Sequence, residues 1–219
     1  DEDVASVALP WPFPFYGVDY EHISISDNGA LRFDIGLTSQ GSNNCLPSAL
    51  AGGNPDVAVF WDDLEPSITA SVHSELLSLP TRFVITWVNF EHSLFPSGTT
   101  VTVQAALYPS GAIDLRYVTT AFGDPSVDFG ASATVGIQDA VGSLNHSGNV
   151  LDARCQSGTI SASSAIRFCD PNDSDGDGFS MCAGDCDDSS AARAPNAADL
   201  CDAIDQDCDG DLVENFTDT

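Results

Sequence analysis

The chain has 219 residues, of which 42% are hydrophobic, so it is long enough to bury a real core as one large domain or as a medium domain with a small one. Its 33 acidic residues far outnumber its 6 basic residues and give a formal net charge of −27. This charge argues against nucleic acid and anionic membrane surfaces as partners, because both require a basic surface. The sequence contains no run of 18 apolar residues, so no transmembrane segment is predicted.

The chain opens with a segment, residues 1–9, that alternates apolar and polar side chains and has no obvious partner among the predicted hairpins. Two alternatives follow from strand-pairing physics. The segment pairs with the edge of a neighbouring molecule and builds a head-to-tail homopolymer, or it pairs within its own sheet.

A cluster of aromatic residues follows, interleaved with prolines: Trp11, Phe13, Phe15 and Tyr16. Flat rings of this kind can stack on the apolar face of a sugar. Aromatic residues between prolines more often anchor an edge segment to the core, and that interpretation is favoured here.

Short segments with period-two alternation, separated by Gly, Pro, Asn and Asp, continue to residue 168. Asn28-Gly29 is a strong hairpin signal between residues 22–26 and 30–33. Further strands are predicted at 56–61, 82–88, 100–108, 112–118, 133–138 and 166–168, with a weaker pair within 67–77 and a short turn at 74–79. The pattern predicts an all-β fold, an antiparallel β-sandwich spanning residues 1–168.

Catalytic signals are weak in this part of the chain. Asp62-Asp63 follows a predicted strand and could form an acid–base pair or a cation site, but adjacent residues on a strand point to opposite faces, which favours a loop-capping role. The four histidines are scattered without metal-binding spacing, and no nucleophile motif is present. We therefore expect no enzymatic activity.

The last fifty residues carry the strongest functional signal. Alternate aspartates followed by glycine occur twice, ending at Gly178 and Gly210, which matches the start of a calcium loop. Neither copy is an EF-hand, because position twelve is Gly184 in the first and Phe216 in the second, so other carboxylates must complete each site. The predicted calcium ligands are Asp173, Asp175, Asp177, Asp185, Asp187, Asp188, Asp205, Asp207, Asp209, Asp211 and Glu214.

The seven cysteines lack a C-x-x-C zinc pattern and indicate an oxidising, extracellular compartment. Cys45 and Cys155 lie in predicted loops of the sandwich, and a bridge between them is expected. In the tail, a bridge between Cys201 and Cys208 is expected, while Cys169, Cys182 and Cys186 compete for the remaining pairing.

Two resemblances add to this interpretation. Residues 173–188 and 201–215 resemble the MopE-type metal-binding motif of secreted bacterial proteins, and their D-x-D-x-D-G core is similar to thrombospondin type-3 calcium repeats. Short pieces across residues 8–140, including 9–17, 60–64 and 133–137, resemble nidogen-like β-sandwich modules. This second resemblance implies a fold and an extracellular location, and no chemistry.

The combined prediction is a secreted cell-surface protein with a β-sandwich at residues 1–168 and a tail at residues 169–219 that calcium and disulfides stabilise. Three function classes stay open. The chain is a structural subunit that self-associates through an edge strand, an adhesive module that binds a surface glycan or protein, or an accessory module of a secreted protease or other hydrolase.

Overall fold

The computed structural model describes residues 3–33, 43–46, 55–78, 80–96, 98–139, 150–200, 202 and 204–209. Eleven strands form two antiparallel sheets, which confirms the predicted all-β sandwich. The strands are β1 (Val4–Phe15), β2 (Val18–Ser26), β3 (Ala30–Phe33), β4 (Asp56–Trp61), β5 (Leu64–Ser78), β6 (Thr81–His92), β7 (Val101–Leu107), β8 (Ile113–Thr119), β9 (Thr134–Gln138), β10 (Val150–Cys155) and β11 (Ser164–Phe168).

One sheet has the order β1-β2-β3-β4-β9-β10, and the other has the order β11-β8-β7-β6-β5. The last strand ends at Phe168, and the described residues of the tail contain one 3-10 turn, at Met181–Ala183. No helix in the described part of the chain is long and apolar enough to cross a membrane.

The two hairpins predicted from turn signals are both confirmed. Residues 27–29 connect β2 to β3, and Gly29 has a φ of 72°, which favours glycine. A Cβ at Gly29 would lie 2.4 Å from the carbonyl oxygen of Phe60, so the turn also needs glycine to let β4 approach. The second hairpin joins β7 to β8, where the amide of Gly111 donates to the carbonyl of Tyr108.

The core lies between the two sheets, and two polar side chains cross it to tie the sheets together. The indole Nε1 of Trp87 donates to the carbonyl of Ser26 at 2.7 Å, and the hydroxyl of Tyr117 donates to the carbonyl of Val59 at 2.9 Å. Because both donors are buried and bonded, these aromatic residues contribute apolar burial without a desolvation penalty.

A second, smaller apolar cluster includes Leu46 and Trp61. The predicted Cys45–Cys155 disulfide is confirmed, and it fixes the segment 43–46 against the first sheet. Cys155 is the last residue of β10, a strand that the sequence pattern did not predict.

The N-terminal segment, which showed no obvious partner in the sequence, pairs with β2 of its own sheet. Val4 pairs with Ser26, and the register continues along β2. The turn at Tyr16-Gly17, with both φ values positive, folds the Pro-rich stretch back as a hairpin. Of the two alternatives for this segment, the structure shows pairing within its own sandwich.

The structure also bears on two further predictions, for residues 67–79 and for the aromatic cluster. Residues 67–77 are not a pair of strands and 74–78 are not a turn, because both ranges belong to the single strand β5, which pairs with β6 with a register shift between Pro66 and Ser71. In the aromatic cluster, Phe13 and Phe15 are core residues, and Phe13 stacks on Phe33 with ring centroids 5.0 Å apart. These two rings therefore anchor the edge strand.

Candidate metal centre in the acidic tail

The first acidic loop is shaped by its own aspartates. The carboxylate of Asp173 accepts hydrogen bonds from the amides of Gly176 and Gly178, at 2.7 and 2.9 Å. Both glycines have positive φ, which explains why glycine stands at these positions. Asp175 and Asp177 each accept, through Oδ1, an amide two residues ahead.

This turn geometry brings three carboxylates together. One oxygen from each of Asp173, Asp175 and Asp177 lies within 4.8 Å of the others. The Oδ2 atoms of Asp175 and Asp177 are buried and have no hydrogen-bond partner among the described residues. Each of these two side chains thus uses one oxygen to hold the loop and leaves the other for a ligand.

Asp185, which lies outside this cluster of three, is close enough to feel the charges of Asp175 and Asp177, and its two oxygens show the same division of roles. Its Oδ1 accepts the amide of Asp187 at 2.7 Å, whereas its Oδ2 is buried without a partner in the described structure. The residue is only 2% exposed. Burial raises the pKa of Asp185, and the nearby charges of Asp177 and Asp175 raise it further. A buried carboxylate beside other carboxylates is costly unless a cation compensates it.

The two aspartates after Asp185 have other contacts. Asp187 forms an ion pair with Arg193 at 3.0 Å, and Asp188 accepts the amide and hydroxyl of Ser174 at 3.1 and 2.8 Å. Of the three aspartates predicted to complete the first metal site, Asp185 is therefore the best candidate ligand, because its Oδ2 has no partner among the described residues. Asp211 and Glu214, predicted for the second loop, lie outside the described residues.

The second loop forms a separate cluster with a different composition from the predicted one. Asp205 and Asp207 lie with Asp199, and one oxygen of each is within 4.8 Å of the others. Asp199 holds this loop as well, since its Oδ1 accepts the amide of Gln206 at 2.7 Å. Asp209 is outside this group, and its amide donates to Asp207.

Asp199 was not among the predicted ligands, because it lies before the second loop and the predicted completing carboxylates lie in or after it. Its place two residues before Cys201, at the start of the second acidic run, was the available signal.

Two disulfides hold the tail. Cys169 bridges to Cys182, and Cys186 bridges to Cys208. The expected Cys201–Cys208 bridge is therefore wrong, because the chain folds the second loop back onto the end of the first and brings Cys208 to Cys186. Cys201 lies outside the described residues.

The donor set near the first loop consists of oxygen atoms. The four tail cysteines of the two bridges offer no thiolate, and residues 169–219 contain no histidine. Met181, the only methionine, has its Cε directed towards Gly111 of the sandwich, 3.7 Å from where a Cβ there would stand. An all-oxygen set favours calcium, magnesium or manganese over copper or zinc.

The pair Asp62-Asp63 lies in a second polar cluster, at the end of β4. Asp62 accepts the hydroxyl of Ser132 at 2.6 Å and lies 3.5 Å from Nε2 of His92. Nδ1 of His92 accepts the amide of Leu94. Asp63 accepts the hydroxyl of Ser93. Both ring nitrogens of the histidine therefore have partners, and the cluster is arranged to hold the loops at this end of the sandwich.

Comparison with known proteins gives two family matches. A family model described as "NIDO related" matches residues 1–176, and one described as "Putative metal-binding motif", of the copper-binding MopE type, matches residues 185–212. No curated protein and no solved structure matches the chain significantly. The first match covers the sandwich and ends at residue 176, within the first acidic loop, and the second begins at Asp185.

Proposed function

We propose that this chain, which belongs to the NIDO-related family, is a secreted calcium-binding module with a structural or adhesive role at a cell surface. The observation that carries the proposal is the buried carboxylate of Asp185. Its free oxygen lies among the negative charges of Asp175 and Asp177, an arrangement that a divalent cation stabilises.

Calcium is the ion that the donor set supports best. It takes six to eight oxygen ligands, at about 2.3–2.6 Å, in flexible geometry. Asp173, Asp175, Asp177 and Asp185 supply carboxylate oxygens for it, and backbone carbonyls and water supply the remainder. Magnesium, which demands a near-ideal octahedron and keeps several waters, suits such a crowded set of carboxylates less well. Asp199, Asp205 and Asp207 offer a second position for the same ion.

An extracellular location is supported by the cysteines. Three disulfides, one in the sandwich and two in the tail, require an oxidising compartment in most organisms. The tail has few apolar residues to bury, so metal and disulfides together are what order it.

The proposal assigns no catalytic role to the chain. Support comes from the polar cluster at Asp62, where the histidine and the carboxylates are occupied with loop contacts. A general base needs a nitrogen or carboxylate oxygen available to the substrate.

Limited proteolysis tests the proposal. The full chain is digested with and without a calcium chelator, and the fragments are identified by mass. We expect cleavage within residues 170–209 only after chelation, with the sandwich intact in both cases, because the unscreened carboxylates repel one another once the ion is removed. Magnesium or copper added back at the same concentration should protect less than calcium. A tail that is equally resistant with and without the chelator contradicts the proposal.

A further inference from the structure

The longest edge of the sandwich is β5, a strand of 15 residues at the end of its sheet. Its pairing with β6 is interrupted between Pro66 and Ser71 and is then regular from Ser71 to Ser78. In the described part of the chain no strand lies on the other side of this regular stretch. Such an edge presents a row of backbone donors and acceptors to any strand that can pair with it.

The other edge strands are short or protected. β10 has six residues and β11 has five. β1 carries prolines at alternate positions, Pro10, Pro12 and Pro14, and each lacks the amide hydrogen that a neighbouring strand would need. Prolines of this kind are absent from β5 beyond Pro66.

The inner face of β5 carries apolar side chains that are partly exposed. Val72 pairs with Trp87 and Leu76 with Phe83, so both belong to the face that carries the core. They are nevertheless 37% and 57% exposed. A cleft of about 380 Å³ opens beside Val72, between β5 and the start of β1.

The distribution of charge along β5 is unusual for so acidic a chain. Between Pro66 and Ser78 the only titratable side chains are His73 and Glu75, which lie on the same face two residues apart. An edge built to bind a basic peptide would carry several carboxylates. This edge carries one carboxylate and one imidazole, whose N–H can donate a hydrogen bond to a carboxylate, so the two side chains can complement each other across two copies.

We propose that the chain forms a symmetric dimer in which β5 pairs antiparallel with β5 of a second copy, centred on Ser74. In that register His73 of each copy lies opposite Glu75 of the other, and Val72 lies opposite Leu76. Both faces of the strand are then self-complementary, as a twofold interface requires. The two five-stranded sheets become one continuous ten-stranded sheet, and the exposed apolar pair is covered.

Sedimentation velocity of the full chain in calcium, at about 0.15 M salt to screen the net charge, tests this proposal. We expect a dimer in the wild type. The substitution His73→Glu places Glu opposite Glu75, and Glu75→Lys places Lys opposite His73. Each should raise the dimer dissociation constant on the order of tenfold, because the cross-strand pair occurs twice. Combined, the two substitutions restore an opposite pair and should restore the dimer.

Glu21→Lys is the matched control for Glu75→Lys, since it makes the same change of net charge at an exposed position of β2 and should leave the dimer unchanged. Far-ultraviolet circular dichroism verifies that each variant is folded. A wild-type monomer at every concentration overturns the proposal, and the edge would then be open to a strand of another protein. Single variants that remain dimeric, a double variant that stays monomeric, or assemblies that grow beyond two copies also overturn it.

Discussion

The disulfide between Cys186 and Cys208 joins the two acidic clusters of the tail. Cys186 follows Asp185 directly, and Cys208 lies next to Asp207 in the second loop. A bridge across 22 residues of sequence therefore holds a residue of each candidate metal site in place. Metal binding and this disulfide should stabilise the tail cooperatively.

Removing this bridge should weaken both metal sites. We expect the double substitution Cys186→Ser with Cys208→Ser to destabilise the folded tail by about 3 kcal/mol, from the chain entropy of a loop of this length. Calcium affinity should fall with it, because part of the binding free energy must then order the tail. Calcium titration and proteolysis of the tail measure these effects. Unchanged affinity would show that the bridge does not support the sites.

Calcium binding should weaken as the pH falls. The pKa of Asp185 is raised from 3.8, first by burial and then by the charges of Asp177, Asp175 and Asp188. Calcium must displace any proton bound there, so affinity falls as the pH drops through the raised pKa. Without calcium the sign reverses, because the folded tail binds this proton more tightly than the unfolded chain and gains stability at lower pH.

Calcium titrations from about pH 7.5 to about pH 5 test this linkage. In the Asp185→Asn variant the pH dependence should be smaller, because the tail carboxylate whose pKa is raised has been removed. The same pH profile in both proteins would exclude Asp185 as the titrating ligand.

Asp56 should be one of the most sensitive positions in the sandwich. Its carboxylate accepts two hydrogen bonds from Arg32, at 2.7 and 3.1 Å, and both side chains are fully buried. Asp56→Asn leaves a buried guanidinium without its anion, and we expect a loss of about 3–5 kcal/mol in the free energy of unfolding. Arg116→Gln, which breaks a half-exposed ion pair, should cost under about 1 kcal/mol.

Urea unfolding followed by tryptophan fluorescence reports on the sandwich, because all three tryptophans lie before residue 168. Equal losses in the two variants would mean that the Arg32–Asp56 pair is not buried in solution.

The two turn glycines should respond differently to alanine. Gly29 and Gly17 both have positive φ, 72° and 78°, so each substitution carries a strain of about 1 kcal/mol. At Gly17 nothing lies within 4 Å of an added Cβ, whereas at Gly29 the Cβ would lie 2.4 Å from the carbonyl oxygen of Phe60. Gly29→Ala should therefore cost several kcal/mol more in the same unfolding experiment. Similar losses of unfolding free energy in Gly29→Ala and Gly17→Ala would contradict the close approach of β4 to Gly29.

The features of the fold that neighbouring residues determine could be predicted from the sequence. The Asn28-Gly29 hairpin and the alternate aspartates before Gly178 depend on turn conformations that few residues adopt, so they can be recognised from the residues alone. Pairings between distant segments were harder. Neither the pairing of Val4 with Ser26 nor the bridge from Cys186 to Cys208 has a local signal, because both depend on how the chain folds back.

Calcium titration by calorimetry, on the metal-free full chain and on two variants, tests the central claim most directly. Asp185→Asn removes the buried carboxylate of the first loop, and Asp170→Asn changes a tail aspartate outside both clusters. The account predicts calcium binding in the wild type and in Asp170→Asn, and an affinity at least about tenfold weaker at one site in Asp185→Asn. Wild-type affinity in Asp185→Asn, or no calcium binding by the wild type, would contradict it.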